Sequence, residues 1–388
     1  MAGKALKLFS DLRMIFDQLK TYHIKTFGCQ ANKADSERIA GFLDQAGLEE
    51  TEEISRADLV VVNTCAVRQS AEDRAIGLSH NLSKRNKRPV IILSGCLLYH
   101  NRGYLQEKLK GKVDSMIKTE DWPKFVFDYW GIEVDQSKTK RKTLEAAYIP
   151  IMEGCNNFCT YCVVPYARGR EKSVLPEAII RQVKQAIASG YQEVLLLGQN
   201  VNSYGKDLKE INLVTPFAAL LANLNDFKKL KKISFLTSNP QDLDDDIIQA
   251  LTLPKIDRQL HLPVQSGDDE ILKAMNRKYT VIQYIELIKK IRKEVPEVKI
   301  STDIIVGFPG ESEKQFQNTV NLCRKIGFNK AYINKYSPRP QTAAAKLEDN
   351  VAWSKKKRRW QILDQLINNG FSFFMLKLAY EWTFWRCF

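Results

Sequence analysis

The sequence predicts an α/β fold: a small N-terminal domain built on a doubly wound parallel sheet, followed by a partial (β/α)6 barrel. Two observations support this prediction. Short apolar strands alternate with amphipathic helices through most of the 388 residues, without long runs of hairpins, as is typical of parallel sheets. Cysteines, glycines and polar residues follow these strands at their carboxyl ends, where such folds place their ligand sites.

The composition indicates a globular protein of two domains. Hydrophobic residues make up 44% and charged residues 27% of the chain, which is enough for two cores and does not fit a disordered protein. We expect no secretory signal and no membrane span, because neither an apolar leader segment nor a stretch of about 18 apolar residues is present. We therefore expect a cytoplasmic protein with no membrane partner.

Net charge and cysteine content narrow the possible functions. The formal charge of +14 favours a polyanionic partner, since basic residues bind phosphates with release of counterions. Eight cysteines in a reducing cytoplasm point to metal or redox chemistry rather than to a disulfide framework.

The first domain is predicted over residues 21–135, after an N-terminal arm of residues 1–20. The apolar runs LVVV and VIIL are typical of strands buried on both faces, and Gly47 stands where a helix usually stops. The predicted elements are strand 22–27, helix 35–46, strand 59–62, helix 67–85 and strand 90–93.

One cysteine follows each of these three strands. Cys29, Cys65 and Cys96 should therefore meet at the carboxyl edge of the sheet, where three thiolates could hold a metal site. Glycines before Cys29 and Cys96 would allow close backbone approach to a bulky cluster. The alternative is three unrelated buried cysteines, because free cysteine is often a core residue.

The second domain is predicted over residues 146–340, between a polar, basic linker at 136–145 and a helical extension with an aromatic tail at 341–388. The linker is either solvated or a minor contact for RNA. The predicted barrel strands are 148–152, 193–197, 232–236, 259–262, 299–306 and 330–335, with helices such as 176–189 and 281–293 between them.

Three more cysteines, Cys155, Cys159 and Cys162, follow the first barrel strand in the spacing C-x3-C-x2-C. Three thiolates do not complete a tetrahedral zinc site, but they can hold three irons of a [4Fe–4S] cube and leave the fourth open. An open iron suits a cofactor that chelates metal through an amine and a carboxylate. A zinc knuckle with a distant fourth ligand, or three buried thiols, is the alternative.

The run EGCNNFCTYCVVPYARGR at 153–170 resembles the signature of the radical S-adenosylmethionine (SAM) enzymes, and its flanks resemble the methylthiotransferases among them. The runs KTFGCQANKADSE, VVNTCAVRQSAEDRA and SGCL resemble the N-terminal domain of the same family. This resemblance implies that SAM binds the open iron of the barrel cluster and is cleaved to a 5′-deoxyadenosyl radical. It also implies a second [4Fe–4S] cluster on the first cysteine triad, which carries the transferred sulfur.

The ends of the barrel strands supply candidate contacts for SAM. The resemblance places the SAM amine after the second strand and the adenine at the run GFPGE, while arginine beside the cluster loop could balance negative charge. Each candidate also has a structural alternative. The glycines of GFPGE could simply form a turn, His261 could be a hydrogen-bonded core histidine, and Arg168 could be a solvated surface arginine. The candidate cofactor-binding residues are Gln199, Asn200, Gln265, Gly307, Gly310, Glu311 and Arg168.

Two further runs, GQNVNSY at 198–204 and HLPVQSG at 261–267, look like the branch that modifies isopentenyladenosine in tRNA. The resemblance implies insertion of sulfur and a methyl group at C2 of that base, at position 37 beside the anticodon. The expected partners are the tRNA anticodon stem-loop, a low-potential electron donor such as flavodoxin or ferredoxin, and a sulfur or cluster donor. We expect a monomer.

Alternative substrates within the family are threonylcarbamoyladenosine in tRNA and a ribosomal protein. The alternative from another class is a non-catalytic, zinc-dependent RNA-binding protein. Basic runs with neighbouring aromatics, NRKY at 276–279 and KKKRR at 355–359, suit RNA contact or an exposed helix face. These enzymes usually carry a small RNA-binding β-barrel (TRAM) domain after the barrel. We expect no such domain in the aromatic tail of this sequence.

Overall fold

The computed structural model describes residues 15–99, 102–142, 145–208 and 215–369. The aromatic tail and most of the predicted N-terminal arm lie outside these residues. The chain forms two compact units. The first contains the chain up to Asn156 together with Val163–Gln199, and the second contains Asn157–Cys162 together with the chain from Asn200 onward.

Strands and helices alternate along the described residues. The strands are β1 Thr21–Phe27, β2 Glu49–Glu50, β3 Leu59–Thr64, β4 Val90–Gly95, β5 Ser115–Ile117, β6 Ala147–Pro150, β7 Met152–Glu153, β8 Lys172–Ser173, β9 Glu193–Leu197, β10 Lys232–Phe235, β11 Gln259–His261, β12 Lys299–Val306 and β13 Lys330–Lys335. The helices are α1 Gln30–Gln45, α2 Gln69–Ser83, α3 Arg102–Leu109, α4 Trp122–Trp130, α5 Val164–Arg168, α6 Pro176–Ala188, α7 Pro216–Asn225, α8 Asp245–Ala250, α9 Asp269–Ala274, α10 Val281–Glu294, α11 Glu313–Ile326 and α12 Trp353–Ile367. In the portion of the chain that the structure covers, none of the helices has the length and apolar character needed to cross a bilayer.

The N-terminal domain is a five-stranded, all-parallel sheet with the order β2-β1-β3-β4-β5. Every residue of β3 is buried. Leu59 and Val61 pack in one core with residues of α1 and α4, whereas Val60 and Val62 pack in a second core with residues of α2 and α3. Helices therefore cover both faces of the sheet, and the predicted doubly wound domain is confirmed.

Helix α1 begins at Gln30, five residues earlier than the sequence pattern predicts. Cys29 is extended, with φ −88° and ψ −175°, and it forms the N-cap of the helix. The first turn is mostly polar, so apolar periodicity does not reveal it. Cys29 is consequently fixed at the junction of β1 and α1 rather than in a longer loop.

The predicted linker lies against helix α1. The backbone N–H groups of Lys140 and Lys142 donate to the main-chain oxygen of Glu37 at 3.1 Å and to its carboxylate at 3.0 Å. A side chain on Gly41 would collide with the carbonyl oxygen of Lys138. The backbone of this stretch is therefore held against α1, while residues 136–138 and 142 are exposed. Its role as a linker stays a prediction.

The strands of the predicted barrel are parallel within each unit. β6 pairs with β9 in the first unit, and β11, β12 and β13 form a parallel sheet in the second. The predicted bounds of β9, β12 and β13 agree with the structure, whereas the first barrel strand is divided at Ile151 into β6 and β7. The α/β fold with parallel sheets is confirmed. A single six-stranded partial barrel stays a prediction.

Candidate metal and cofactor site

The ends of three neighbouring strands bring the first three cysteines to one edge of the N-terminal sheet. Phe27, Thr64 and Gly95 are aligned across β1, β3 and β4. Cys65 and Cys96 directly follow the last two, and the N–H of Cys65 donates to the carbonyl of Phe27 at 2.9 Å. In this strand order β2 is added on one side of β1 and β3 on the other, so the ligand crevice is expected outside the carboxyl ends of β1 and β3.

Two buried asparagines hold this edge together. The Asn63 amide donates to the carbonyl of Asn32 and to the hydroxyl of Ser36, both at 2.8 Å. The Asn32 amide oxygen accepts from the N–H of Cys29 at 3.3 Å, and its nitrogen lies 3.8 Å from the sulfur of Cys96. Both asparagines are fully buried, so the segments that carry Cys29 and Cys96 are cross-linked by a polar network.

The two glycines before cysteines serve this network. A Cβ on Gly28 would collide with the side chain of Asn32, and a Cβ on Gly95 would collide with Asn63 and with the backbone of Thr64. Gly95 also has φ +91°, which side chains disfavour. These glycines therefore let strand ends and asparagine side chains approach each other, and the predicted close approach to a cluster stays a prediction.

Arg168 connects Cys96 with two carboxylates. Helix α5 packs on the turn Cys96–Tyr99, which directs the guanidinium toward the cysteine. Its Nε donates to Cys96 Sγ at 3.1 Å, while Nη1 and Nη2 donate to Glu153 at 2.8 Å and to Asp35 at 2.6 Å. The side chain is 8% exposed. Burial alone lowers the pKa of Arg168, but Asp35, Cys96 and Glu153 raise it well above its ordinary value, so the group stays charged.

Two thiols of this triad lie in surroundings that disfavour the thiolate form unless a metal or another partner stabilises it. Burial raises the pKa of Cys96 to about 11 and also raises the pKa of Cys65, against the lowering effect of N–H donors. The N–H of Val67 donates to Cys65 Sγ at 3.2 Å. Sulfur atoms surrounded by N–H groups are a common feature of iron–sulfur sites, and metal binding deprotonates a thiol.

Within the described residues, no three histidine, cysteine, aspartate or glutamate side chains are gathered tightly enough to hold a single metal ion. A [4Fe–4S] cube does not require such close packing, because each thiolate binds a different iron at a separate corner.

The start of the C-x3-C-x2-C loop is held within the first unit. Gly154 has φ +81°, and a Cβ there would collide with the backbone of Arg170. The side-chain oxygen of Gln199 accepts from the N–H of Gly154 at 2.7 Å, and the N–H of Cys155 donates to the carbonyl of Gly169 at 3.2 Å. Gln199, a candidate for SAM contact, thus uses one of its polar atoms to fix the backbone beside Cys155.

The rest of the loop is held within the second unit. The Asn276 amide donates to the carbonyls of Asn157 at 3.2 Å and Phe158 at 3.0 Å, and the Thr160 hydroxyl donates to the carbonyl of Ala274 at 2.8 Å. Phe158 and Asn276 both have positive φ, at 47° and 58°. Strained backbone at non-glycine residues is typical of functional sites, where the surroundings hold it in place.

Arg277, considered for RNA contact from the run NRKY, is used inside the second unit. Its Nη1 donates to Cys159 Sγ at 3.5 Å, its Nε to the hydroxyl of Tyr279 at 2.9 Å, and its Nη2 to the carbonyl of Pro263 at 3.0 Å. Sequence reasoning missed this role, because the contact spans 118 residues and has no local signal.

Buried polar atoms without partners mark the strand ends of the second unit. The segments around Asn200 and Asn239 lie together, since the Asn202 amide donates to the carbonyl of Asn239 at 3.3 Å. Thr237 and Gln265 have φ of 71° and 70°. Among the residues that the structure describes, no hydrogen-bond partner is found for these buried side-chain atoms: Asn200 Oδ1, Asn202 Oδ1, Ser238 Oγ, Asn239 Oδ1 and Gln265 Oε1.

Such orphaned atoms usually indicate a missing ligand or water, because an unsatisfied buried polar group costs about 1–3 kcal/mol. Four of the five are amide oxygens, which accept hydrogen bonds. A ligand with an ammonium group and ribose hydroxyls would supply the matching donors, so these residues fit SAM. The predicted candidates Asn200 and Gln265 belong to this set, and Asn202 and Asn239 extend it.

The candidates in GFPGE have internal partners. The Glu311 carboxylate accepts from the N–H of Gly307 at 2.6 Å and from Arg359 at 2.7 Å, and its side chain is 1% exposed. Gly307 has φ +70°, and a Cβ there would collide with Lys356. The N–H of Gly310 donates to the side chain of Asn350 at 2.8 Å. These contacts stabilise the turn, and ligand contacts from these residues stay predictions.

The run KKKRR is divided between two environments. Lys356 and Arg359 lie three residues apart on helix α12 and are buried. Lys356 pairs with Asp349 at 2.6 Å, and Arg359 pairs with Glu311 and Glu313. Lys355, Lys357 and Arg358 are exposed. Of this run, only the exposed three can contact RNA.

Removing the cation of the buried Glu311–Arg359 pair should destabilise the second unit. We expect Arg359→Met to lower the free energy of unfolding by roughly 3–5 kcal/mol, because it leaves Glu311 buried without its cation. Urea denaturation measures this, with Arg358→Met on the exposed face as the matched control. An equal, small effect of both changes would contradict the structural role of the pair.

The pH dependence of this variant follows from the carboxyl group. Burial raises the pKa of Glu311 from 4.5 to about 7, against the lowering effects of Gly307 and Arg359. A raised pKa in the folded state means that stability is present below about pH 4.5 and is lost as the pH rises through 7. Without Arg359 the pKa of Glu311 should rise further and the loss should continue to higher pH, so the destabilisation should be larger at pH 8 than at pH 5.5.

His261 is hydrogen-bonded on both ring nitrogens. Nδ1 lies 3.0 Å from the hydroxyl of Ser301 and Nε2 lies 3.2 Å from the carboxylate of Asp303. The ring also makes an edge contact with Tyr332, which is 44% exposed. His261 therefore matches its structural alternative, a histidine that is hydrogen-bonded to residues of the neighbouring strand.

Two family models match the chain in the two predicted regions. Residues 149–323 match the Radical SAM superfamily, and residues 21–117 match the Uncharacterized protein family UPF0004. The first range contains the C-x3-C-x2-C loop, and the second contains the triad of Cys29, Cys65 and Cys96.

Solved structures share the fold at low sequence identity. The radical S-adenosylmethionine methyltransferase TsrM from Kitasatospora setae, with cobalamin and a [4Fe-4S] cluster bound, aligns with a TM-score of 0.64 at 12% identity, over 84% of this chain and 77% of that chain. The cobalamin-dependent S-adenosylmethionine radical enzyme OxsB aligns with a TM-score of 0.55 at 10% identity, over 90% of this chain and 56% of that chain. At these identities the likeness concerns the fold alone.

Curated relatives match nearly the whole chain. The tRNA-2-methylthio-N(6)-dimethylallyladenosine synthase of Thermoanaerobacter sp. (strain X514) is 44% identical over 370 residues, which cover 89% of this chain and 78% of that protein. The protein of the same name from Clostridium beijerinckii is 41% identical over 390 residues, covering 93% and 83%. The chain therefore belongs to the radical SAM superfamily and, within it, to the family of the tRNA-2-methylthio-N(6)-dimethylallyladenosine synthases.

Proposed function

We propose that this protein is a radical SAM tRNA methylthiotransferase that adds sulfur and a methyl group at C2 of isopentenyladenosine at position 37 of tRNA. The observation that carries the proposal is the presence of two cysteine triads at strand ends in a chain 40–44% identical to synthases of that name. A family member with only one triad would lack a place for the second cluster.

The six cysteines are the proposed cluster ligands. Cys155, Cys159 and Cys162 would hold the barrel cluster that binds SAM, and Cys29, Cys65 and Cys96 would hold the auxiliary cluster. When bound, the two [4Fe–4S] clusters and SAM supply the electron, the sulfur and the methyl group. The N–H groups of Val67 and Arg168 would stabilise the sulfurs of the auxiliary triad, and Arg277 that of Cys159.

The chain itself binds and orients the cofactor. The unpartnered oxygens of Asn200, Asn202, Asn239 and Gln265 would accept hydrogen bonds from SAM. The side-chain nitrogen of Asn200 donates a 2.8 Å hydrogen bond to the carboxylate of Asp242. This contact fixes the side chain and leaves its oxygen for the ligand. Gln199 would act indirectly, by positioning Gly154 next to the first barrel cysteine.

The reaction requires partners of defined chemistry. The net charge of +14 supports binding of the tRNA anticodon stem-loop. A flavodoxin or ferredoxin would supply low-potential electrons, and a sulfur or cluster donor would replace the sulfur consumed. We propose a cytoplasmic monomer.

Nucleoside mass spectrometry tests the proposal directly. The full chain is expressed in a host that lacks the activity, and its tRNA is digested and searched for the 2-methylthio derivative of isopentenyladenosine. The purified protein, reconstituted anaerobically, should bind about eight irons from two cubes and cleave SAM. Bound zinc without SAM cleavage would support a non-catalytic RNA-binding protein instead.

A further inference from the structure

In each unit an arginine donates a hydrogen bond to a cysteine sulfur. In the first unit, Arg168 Nε lies 3.1 Å from Cys96 Sγ. In the second unit, Arg277 Nη1 lies 3.5 Å from Cys159 Sγ. The two cysteines belong to different triads, so each proposed cluster would have one guanidinium beside one of its sulfurs.

The charge of Arg168 is cancelled by its neighbours. Its two other donor groups bind the carboxylates of Asp35 and Glu153 at 2.6 Å and 2.8 Å. Asp35 also pairs with Arg38 at 3.2 Å. Two guanidinium groups and two carboxylates leave a formal charge of zero next to Cys96.

The charge of Arg277 is not cancelled in this way. In the part of the chain that the structure describes, its hydrogen-bond partners are the Tyr279 hydroxyl, the Pro263 carbonyl and the sulfur of Cys159, and no carboxylate pairs with it. An arginine guanidinium keeps its proton in proteins. A full positive charge therefore lies next to Cys159.

We infer that the uncancelled charge of Arg277 raises the reduction potential of the barrel cluster above that of the auxiliary cluster, next to which the formal charges sum to zero, so that the chain itself separates the two potentials. The inference rests on the proposed function, because it requires clusters on both triads. A reduced cluster carries one more electron, and a nearby positive charge stabilises that electron. Hydrogen bonds to cluster sulfurs act in the same direction. At Cys96 only the hydrogen bond remains, because the carboxylates cancel the charge.

The consequence concerns where an electron resides. A one-electron donor of the flavodoxin or ferredoxin class is oxidised by one electron as one cluster is reduced by one electron. If the potential of the barrel cluster is raised by Arg277, the electron favours the cluster that needs it for SAM cleavage over the auxiliary cluster. Arg277 and Arg168 are thus positioning residues that act through the sulfurs and need not touch the substrate.

Redox titration followed by electron paramagnetic resonance tests the inference on the reconstituted full chain. Each cluster is measured alone, the barrel cluster in a Cys65→Ala background and the auxiliary cluster in a Cys159→Ala background. We expect the barrel cluster to have the higher potential, and Arg277→Gln to lower it toward that of the auxiliary cluster. Arg168→Gln removes one charge from a neutral group and should lower the potential of the auxiliary cluster as well. Arg277→Lys, which keeps the charge, should recover most of the shift. The exposed neighbours Lys278→Gln and Arg170→Gln are the matched controls.

The outcomes separate this inference from the proposed function. If iron content and SAM cleavage are normal and both potentials are unchanged in the glutamine variants, the inference is overturned and the proposed function stands. A barrel cluster whose potential is no higher than that of the auxiliary cluster also overturns it. Failure of the parent protein to bind iron would instead refute the proposed function. Should Arg168→Gln not fold, Arg168→Met, which also removes the charge, supplies that arm of the comparison.

Discussion

Replacing Cys159 with alanine is expected to abolish reductive cleavage of SAM by the reconstituted protein. Cys159 is 8% exposed, and its sulfur accepts a hydrogen bond from Arg277. The surrounding residues therefore already hold this sulfur in position. With two thiolates left in the loop, a cube would be held at only two irons, and the SAM-binding cluster should be lost. Iron content should fall from about eight to about four per chain. Chromatographic detection of 5′-deoxyadenosine measures the loss of cleavage.

Cys323→Ala is the matched control for this variant. Cys323 is also a buried cysteine of the second unit, but it lies in the last turn of helix α11, away from both triads in sequence. Burial raises its pKa to about 12, which indicates an apolar core environment. This change should leave iron content and SAM cleavage near those of the parent protein. Equal loss in both variants would mean that the effect comes from unfolding.

The positions of the six cysteines were accessible to sequence reasoning because they depend on local features. Apolar runs identify β1, β3 and β4, and a parallel sheet brings the residues after its strands to one edge. The same logic identified the ends of β9 and β12. Where the sequence pattern was polar, as in the first turn of α1, the boundary was wrong by five residues, because periodicity requires apolar residues to be visible.

Contacts between residues that are far apart in the sequence had no such local signal. Arg168 and Asp35 are 133 residues apart, and nothing in either local sequence predicts their 2.6 Å contact. The run KKKRR did contain a usable clue: Lys356 and Arg359 are three residues apart and therefore share one face of a helix. Side chains on one face can be buried together when carboxylates meet them. Composition alone suggested a uniformly exposed basic surface.

Replacing Cys65 with alanine should separate the two activities of the protein. Cys65 is 6% exposed, and its sulfur accepts from the N–H of Val67. It belongs to the triad of the N-terminal sheet, so its loss should remove the auxiliary cluster, leave about four irons and spare SAM cleavage. Methylthiolation of tRNA should fall below detection, because the proposed sulfur carrier is missing. Nucleoside mass spectrometry and the 5′-deoxyadenosine assay on one preparation measure both activities.

Cys29→Ala and Cys96→Ala should reproduce this separation, since each removes one thiolate from the same triad. Their agreement matters because the three residues differ in exposure: Cys29 is exposed, whereas Cys65 and Cys96 are buried. A purely structural effect would follow burial, and Cys29→Ala would then be nearly harmless. A common loss of methylthiolation with SAM cleavage retained would instead identify the three as ligands of one cluster. Loss of both activities in all three variants would refute the division of roles between the triads.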